Sequence, residues 1–267
     1  LFHCSEETKE SIINFIKMVF YVFPNNEDEN NPRIKFRSKN STKILAKSNT
    51  GFAYNTLGKT DLLVSEVGFG SYRIDVKSSL NREALKKAVL SGINLIDTSS
   101  TYTDGNSELL VGAVLKKLVT DDKVSRESIV IVTKGGYLQG QNFTLSQLRK
   151  KDNKPFEDLV EYQKGLEHCI HPEFLEDQIQ RSLKRLGVET IDIYLLHNPE
   201  YYLKWAKNNN IDIEIARKEY YSRIKKSFEH LEKEVQKGRI KHYGISSNTF
   251  PSSMDDFDFT SLEAVIK

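Results

Sequence analysis

From Phe52 onward the apolar residues fall into two alternating rhythms. Short runs at Val67–Gly70, Ile93–Ile96, Ile129–Val132, Ile191–Leu196 and Ile240–Ile245 are mostly apolar on both faces. That pattern suits parallel strands covered on two sides. Between them apolar positions recur every three or four residues. Leu85, Ala88 and Val89 share one face of a helix that Asn81 can cap, and Leu110, Val114 and Leu118 repeat in the next. Leu175, Ile179, Leu183 and Leu186 form a stripe stopped by Gly187. Ile224, Phe228, Leu231 and Val235 form another, stopped by Gly238. Such stripes predict helices packed on a core, and glycine suits their left-handed ends. Ahead of the first strand, Ala53–Val67 holds two apolar runs around Gly58-Lys-Thr-Asp61, a hairpin signature.

Strand–helix alternation implies an α/β fold with a parallel sheet, either doubly wound or closed into a barrel. Gly68-Phe-Gly70-Ser-Tyr72 lacks the third glycine of a dinucleotide-binding turn. Polar residues cluster instead at the carboxyl ends of several strands, which fits a (β/α)8 TIM barrel. About five strand–helix units precede Lys267, with Pro251–Lys267 available as the fifth helix, whereas a complete barrel takes about 250 residues. The barrel, residues 51–267, is therefore expected to be truncated on its C-terminal side. Tyr137–His171 and Asn198–Tyr221 are expected to use up length without adding strands.

Residues 1–50 read as a disordered or targeting extension. Ser11–Phe23 is densely apolar but interrupted by Lys17, and is shorter than the ~20 residues of a membrane span. It is either the core of a targeting segment or a loosely packed extension. The acidic Glu6-Glu-Thr-Lys-Glu10 before it disfavours a basic leader. Pro24–Thr50, rich in Asn, Lys, Ser and Glu, predicts a disordered linker. The 267 residues carry a net charge of only +2, which points to neither nucleic acid nor a membrane surface. Two distant cysteines, Cys4 and Cys169, imply a reducing compartment. A cytoplasmic location is expected, with organelle targeting left open. Asn40 and Asn142 begin glycosylation triplets, which arise often by chance in an Asn-rich chain.

Three segments follow directly on strands and carry the chemistry: Asp97-Thr-Ser-Ser-Thr-Tyr102, Thr133-Lys134 and Leu196-His197. A tyrosine hydroxyl has an ordinary pKa of about 10, and a buried ammonium beside it favours the phenolate. A buried lysine needs a carboxylate, for which Asp97 is placed. His197 on the next strand can donate to a substrate oxygen and orient it. Together they describe a proton donor poised for a carbonyl oxygen. No protein side chain supplies hydride, so such a site implies a nicotinamide cofactor.

Tyr54–Tyr72, Asp97-Thr-x-x-x-Tyr102 with Gly105-x-Ser-Glu108, Thr133-Lys134, Leu196-His197 and Gly244-Ile-Ser246-Ser-Asn248 resemble the aldo-keto reductases, in the same order. The resemblance implies an NADPH-dependent carbonyl reductase on a (β/α)8 barrel, acting on a small aldehyde or ketone. It assigns Tyr102 as general acid, tuned by Lys134 and Asp97, with His197 orienting the carbonyl. Ser71 and Tyr72 would lie on the nicotinamide side with Asp97. Ser246 or Ser247, with Asn248, would bind the carboxamide. No metal is implied. The family's adenosine and phosphate contacts come mainly from loops after strands seven and eight, so the choice between NADPH and NADH is left open. Two other readings share the same residues: a cofactor-binding subunit resembling the potassium-channel beta subunits, and an inactive fragment exposing its fifth strand as an edge.

The long segment after Lys134 would overhang the barrel mouth. It either shapes the pocket or, at Arg149–Asp158 above all, is a solvated excursion. His168-Cys169-Ile170-His171 offers three metal-ligand types, but no second cluster completes a tetrahedral site. Its expected role is the lead-in to a helix opening at Pro172.

Overall fold

A computed structural model describes residues 21–22, 38–49, 51–60 and 62–266. Its main sheet contains β4 (Phe69–Gly70), β5 (Leu95–Asp97), β6 (Val130–Gly135), β10 (Ile191–His197) and β11 (Ile240–Ser246), parallel neighbours in chain order. Each is followed by a helix on the outer side: α2 (Ser79–Leu90), α3 (Asn106–Thr120), α5 (Pro172–Leu186), α7 (Ile213–Gln236) and the short α8 (Leu262–Ile266). These are five successive units of a (β/α) barrel wall.

The strands are apolar on both faces because each face has a different partner. Ile96, Ile131, Ile191 and Leu196 pack outward against Leu85, Leu110, Leu175, Ile179 and Ile224 of the helices. Leu95, Val130, Val132, Ile193 and Leu195 face inward onto Leu57, Leu62 and Val64. That inner plug comes from the expected hairpin, β2 (Tyr54–Thr56) paired antiparallel with β3 (Leu63–Ser65). Gly187 ends α5 with φ 65°, as its sequence position implied.

Several expectations are corrected. Ser78, not Asn81, caps α2: its hydroxyl accepts from Asn81 N, while Asn81 Oδ1 accepts from Asp75 N. Tyr137–His171 does contribute strands, β7 (Tyr137–Leu138), β8 (Val160–Gln163) and β9 (Leu166–His168), in a separate antiparallel sheet ordered β7-β9-β8. It also carries α4 (Gly140–Lys151). Short strands joined by Gly165 at φ 78° have little periodicity to reveal them. Asn198–Tyr221, by contrast, adds no strand, as expected: it carries α6 (Tyr201–Asn208) and the opening of α7.

Within the linker expected to be disordered, α1 (Ser38–Ser48) forms a helix, because Thr42 is buried and its hydroxyl accepts from Leu63 N at 3.3 Å. Most of Ser11–Phe23 lies outside the described residues, as does Cys4. β1 (Tyr21–Val22) pairs antiparallel with Gly244–Ile245 and so covers part of the fifth barrel strand's edge. Among the described residues no helix is long and apolar enough to cross a membrane. Asn142 is buried and its amide is exchanged with Gln178 (2.8 and 3.1 Å), so this triplet is closed to glycosylation.

Candidate active site

Asp97 ends β5 and Lys134 lies near the end of the neighbouring β6. Parallel pairing of these strands delivers both side chains to one end of the sheet. Lys134 Nζ sits 2.6 Å from Asp97 Oδ1 and 2.8 Å from Oδ2, and donates to Thr98 O at 2.9 Å. The same ammonium lies 3.2 Å from the Tyr102 hydroxyl. All three residues therefore meet at a single nitrogen.

Tyr102 is presented by a strained turn. Thr103 and Asp104 adopt left-handed backbone, φ 49° and 53°, which a β-branched residue rarely does. The turn is held from both sides. Thr103 Oγ1 donates to Ile74 O at 2.8 Å, and Asp104 accepts from Gln141 through Oδ1 (3.1 Å) and its carbonyl (2.7 Å). Behind it, Glu108 is fully buried between Thr133 Oγ1 (2.5 Å) and Arg185 Nε (2.6 Å). Glu108 of the sequence motif is thus a clamp joining this loop to β6 and α5, while Ser107 Oγ contacts Ser71 and Thr98.

The electrostatics differ from the simple expectation. Burial raises the pKa of Tyr102 more than the nearby Lys134 lowers it, and the Asp97 charge opposes Lys134 further. Burial likewise raises the Asp97 carboxyl, despite the ion pair. Tyr102 is accordingly a neutral phenol, in the protonation state of a donor. His197 is buried and, with Lys134 nearby, pushed well below the usual imidazole range, so its ring is neutral.

The ring of Tyr102 stands edge-on to Tyr72 (5.1 Å) and to His197 (5.9 Å). These residues line a cleft of about 760 Å³ that Tyr137, Asn198, Tyr201, Arg73 and Asn248 also face. Of the residues assigned to the cofactor, Tyr72 and Asn248 therefore share the cleft with Tyr102. Ser71 does not line it: it is buried, its hydroxyl 2.7 Å from Ser107 Oγ. Ser246 accepts from Asn198 N through its carbonyl, and Ser247 Oγ is bound to Thr249 at 3.1 Å. Neither lines the cleft. An exposed aromatic ring and a primary amide beside the phenol suit a nicotinamide ring and its carboxamide.

Four further groups stand around the site, none of them assigned to it from the sequence. Ser99 Oγ lies 3.2 Å from His197 Nδ1, and His168 Nε2 donates to His197 O at 2.7 Å. The Tyr137 hydroxyl donates to Asn198 Oδ1 at 3.1 Å, and its ring packs edge-on against His197 at 4.7 Å. Buried Glu200 accepts from Asn198 Nδ2 (2.8 Å) and Asn248 N (2.9 Å). Tyr137 and His168 come from the long segment after Lys134, which had no periodic signal, although Asn198 and Glu200 adjoin the motif histidine. That segment therefore forms one wall of the cleft.

The possible metal ligands diverge. His168 is spent on His197, Cys169 Sγ donates to Glu157 O at 3.3 Å, and His171 Nδ1 caps α5 by accepting from Glu173 N. Pro172 opens that helix as expected.

The aldo/keto reductase family model matches residues 66–266. This chain belongs to the aldo/keto reductase family. It is 33% identical over 149 residues to an NADH-specific methylglyoxal reductase of Escherichia coli, spanning 53% of this chain and 40% of that protein. It is 26% identical over 200 residues to an NAD(P)H-dependent D-xylose reductase of Scheffersomyces stipitis, spanning 70% and 49%. Among solved structures, an aldo-keto reductase from Bacillus halodurans in its holo form superimposes with a TM-score of 0.53 at 26% identity, covering 74% of this chain and 51% of that one. The chain spans about half the length of these relatives. Its five strand–helix units are thus part of the family's (β/α)8 barrel.

Proposed function

We propose that this aldo/keto reductase serves the reduction of a small aldehyde or ketone to an alcohol, with Tyr102 as general acid. The observation that carries the reading is the convergence of Asp97 and Tyr102 on Lys134 Nζ at the edge of the cleft. A bound nicotinamide supplies hydride. The chain's residues would manage the proton and the geometry. The Tyr102 hydroxyl donates to the carbonyl oxygen as it gains charge. Lys134 holds that hydroxyl and stabilises the phenolate left behind, and Asp97 holds Lys134. Neutral His197 offers one N–H to the same oxygen.

Tyr72 and Asn248 would flank the nicotinamide. The family resemblance favours NADPH, but one relative is named NADH-specific and another NAD(P)H-dependent. Both cofactors therefore belong in the assay. With methylglyoxal as probe, Tyr102→Phe is expected to lower kcat/KM by about 10²–10⁴-fold while cofactor fluorescence quenching on binding persists. Undiminished turnover in that variant would remove Tyr102 from the reaction.

A further inference from the structure

The contacts around His197 assign a role to a residue that does not line the cleft. We propose that Ser99 is a positioning residue that donates its hydroxyl to His197 Nδ1 and thereby keeps the imidazole hydrogen on Nε2, the nitrogen available to a ligand in the cleft.

Ser99 is fully buried two residues beyond the end of β5, and among the described residues four polar atoms lie within hydrogen-bond reach of its hydroxyl. Thr101 N, at 3.4 Å, can only donate, so it takes one lone pair of Ser99 Oγ. Thr101 Oγ1 lies at 3.3 Å. Lys134 O, at 3.4 Å, can only accept; it receives Ser100 N at 3.2 Å and, through its second lone pair, competes for the Ser99 hydrogen from a longer distance than the imidazole. His197 Nδ1, at 3.2 Å, is the nearest. Ser99 has a single hydrogen to give, and the shortest contact in a dry site is where it is worth most.

The consequence follows from the chemistry of a neutral imidazole, which has one donor nitrogen and one acceptor nitrogen. Burial and the neighbouring Lys134 keep His197 neutral. With Nδ1 accepting from Ser99, the ring hydrogen must sit on Nε2. The opposite tautomer would turn a lone pair toward the cleft, and a carbonyl oxygen there would be repelled rather than held. Backbone support comes separately from His168, which donates to the His197 carbonyl and fixes the main chain without choosing a tautomer. Ser99 and His168 therefore divide the work: one sets the ring's hydrogen, the other the residue's position. The catalytic value of this arrangement rests on the carbonyl-reductase reading; the tautomer itself does not.

The test is a long-range proton–nitrogen correlation spectrum of the full chain labelled with 15N-histidine near neutral pH, with His197→Gln identifying the resonances. The wild-type protein is expected to show a protonated Nε2 and a bare Nδ1 at His197. Ser99→Ala, with an otherwise unchanged amide spectrum, is expected to bring the two nitrogen shifts together as tautomers exchange. A wild-type hydrogen on Nδ1, or an unaltered pattern in Ser99→Ala, would overturn the proposal. The wild-type spectrum decides even if the variant misfolds. In a methylglyoxal assay, Ser99→Ala is expected to lower kcat about tenfold with the KM for cofactor unchanged. Failure of the wild-type chain to turn over any carbonyl counts against the reductase reading alone, because the spectrum reports on Ser99 independently.

Discussion

At the scale of single residues, the site shows how burial competes with charge. A lysine beside a tyrosine suggests a lowered phenol, yet the surrounding protein raises Tyr102, because removing water costs the phenolate more than one ammonium, itself partly neutralised by Asp97, returns. The same burial keeps two histidines neutral, and this carries a pH dependence of definite sign. His168 is fully buried and titrates at about 4 rather than 6.5. A folded pKa below the unfolded one means the unfolded chain takes up the proton first as pH falls. The contribution is thus complete above pH 6.5 and is lost on the way down to about pH 4, costing on the order of 3 kcal/mol, with His197 acting in the same direction. Urea denaturation at pH 7 and at pH 4.5 should show that loss, and His168→Gln should flatten the slope. Equal stability at the two pH values would mean that these imidazoles are not held neutral.

At the scale of elements, local propensity and tertiary contact sometimes demand opposite residues. Gly112 lies inside α3, where alanine is the better helix former by about 1 kcal/mol. Its Cα faces α5, and an added Cβ would stand 2.5 Å from Leu186 O. Gly112→Ala is therefore expected to destabilise the protein by about 2 kcal/mol through forced separation of the helices, measurable as a lower urea midpoint. A raised midpoint would show that α3 and α5 can part at little cost. The amphipathic helices were legible because their stripes repeat over three or four turns. The segment after Lys134 was not, since its strands of two to four residues carry almost no period and are held by side-chain contacts such as Tyr137 to Asn198 and Lys150 to Glu167. The helix at Ser38–Ser48 was missed for a related reason: its polar composition conceals Thr42, whose burial depends on a distant strand.

At the scale of the whole molecule, three of the five barrel strands are stitched at the end opposite the site. Asp192, fully buried at the start of β10, contacts Arg126 (2.8 Å) and Lys241 (2.5 Å) and accepts from Ile131 N (2.9 Å), which holds its carboxyl down at about 2. It thus joins β6, β10 and β11. Asp192→Ala leaves two cations facing each other without a counter-charge and is expected to cost about 3–5 kcal/mol. The check is a cooperative thermal melt, which should shift sharply downward; an unmoved transition would show that the strands do not depend on this junction. The chain's residue pattern by itself determined the five strand–helix units, because strands covered on both faces and helices covered on one leave distinct periods. It also made Asp97, Tyr102, Lys134 and His197 legible as candidates, because Asp97 and His197 directly follow apolar runs and Tyr102 and Lys134 lie within a few residues of one. Only the tertiary structure decided which groups stand behind them. Ser99 and His197 are 98 positions apart, and Glu108 and Arg185 are 77. Contacts of that separation are set by strand register and helix packing, to which no local pattern in the chain responds.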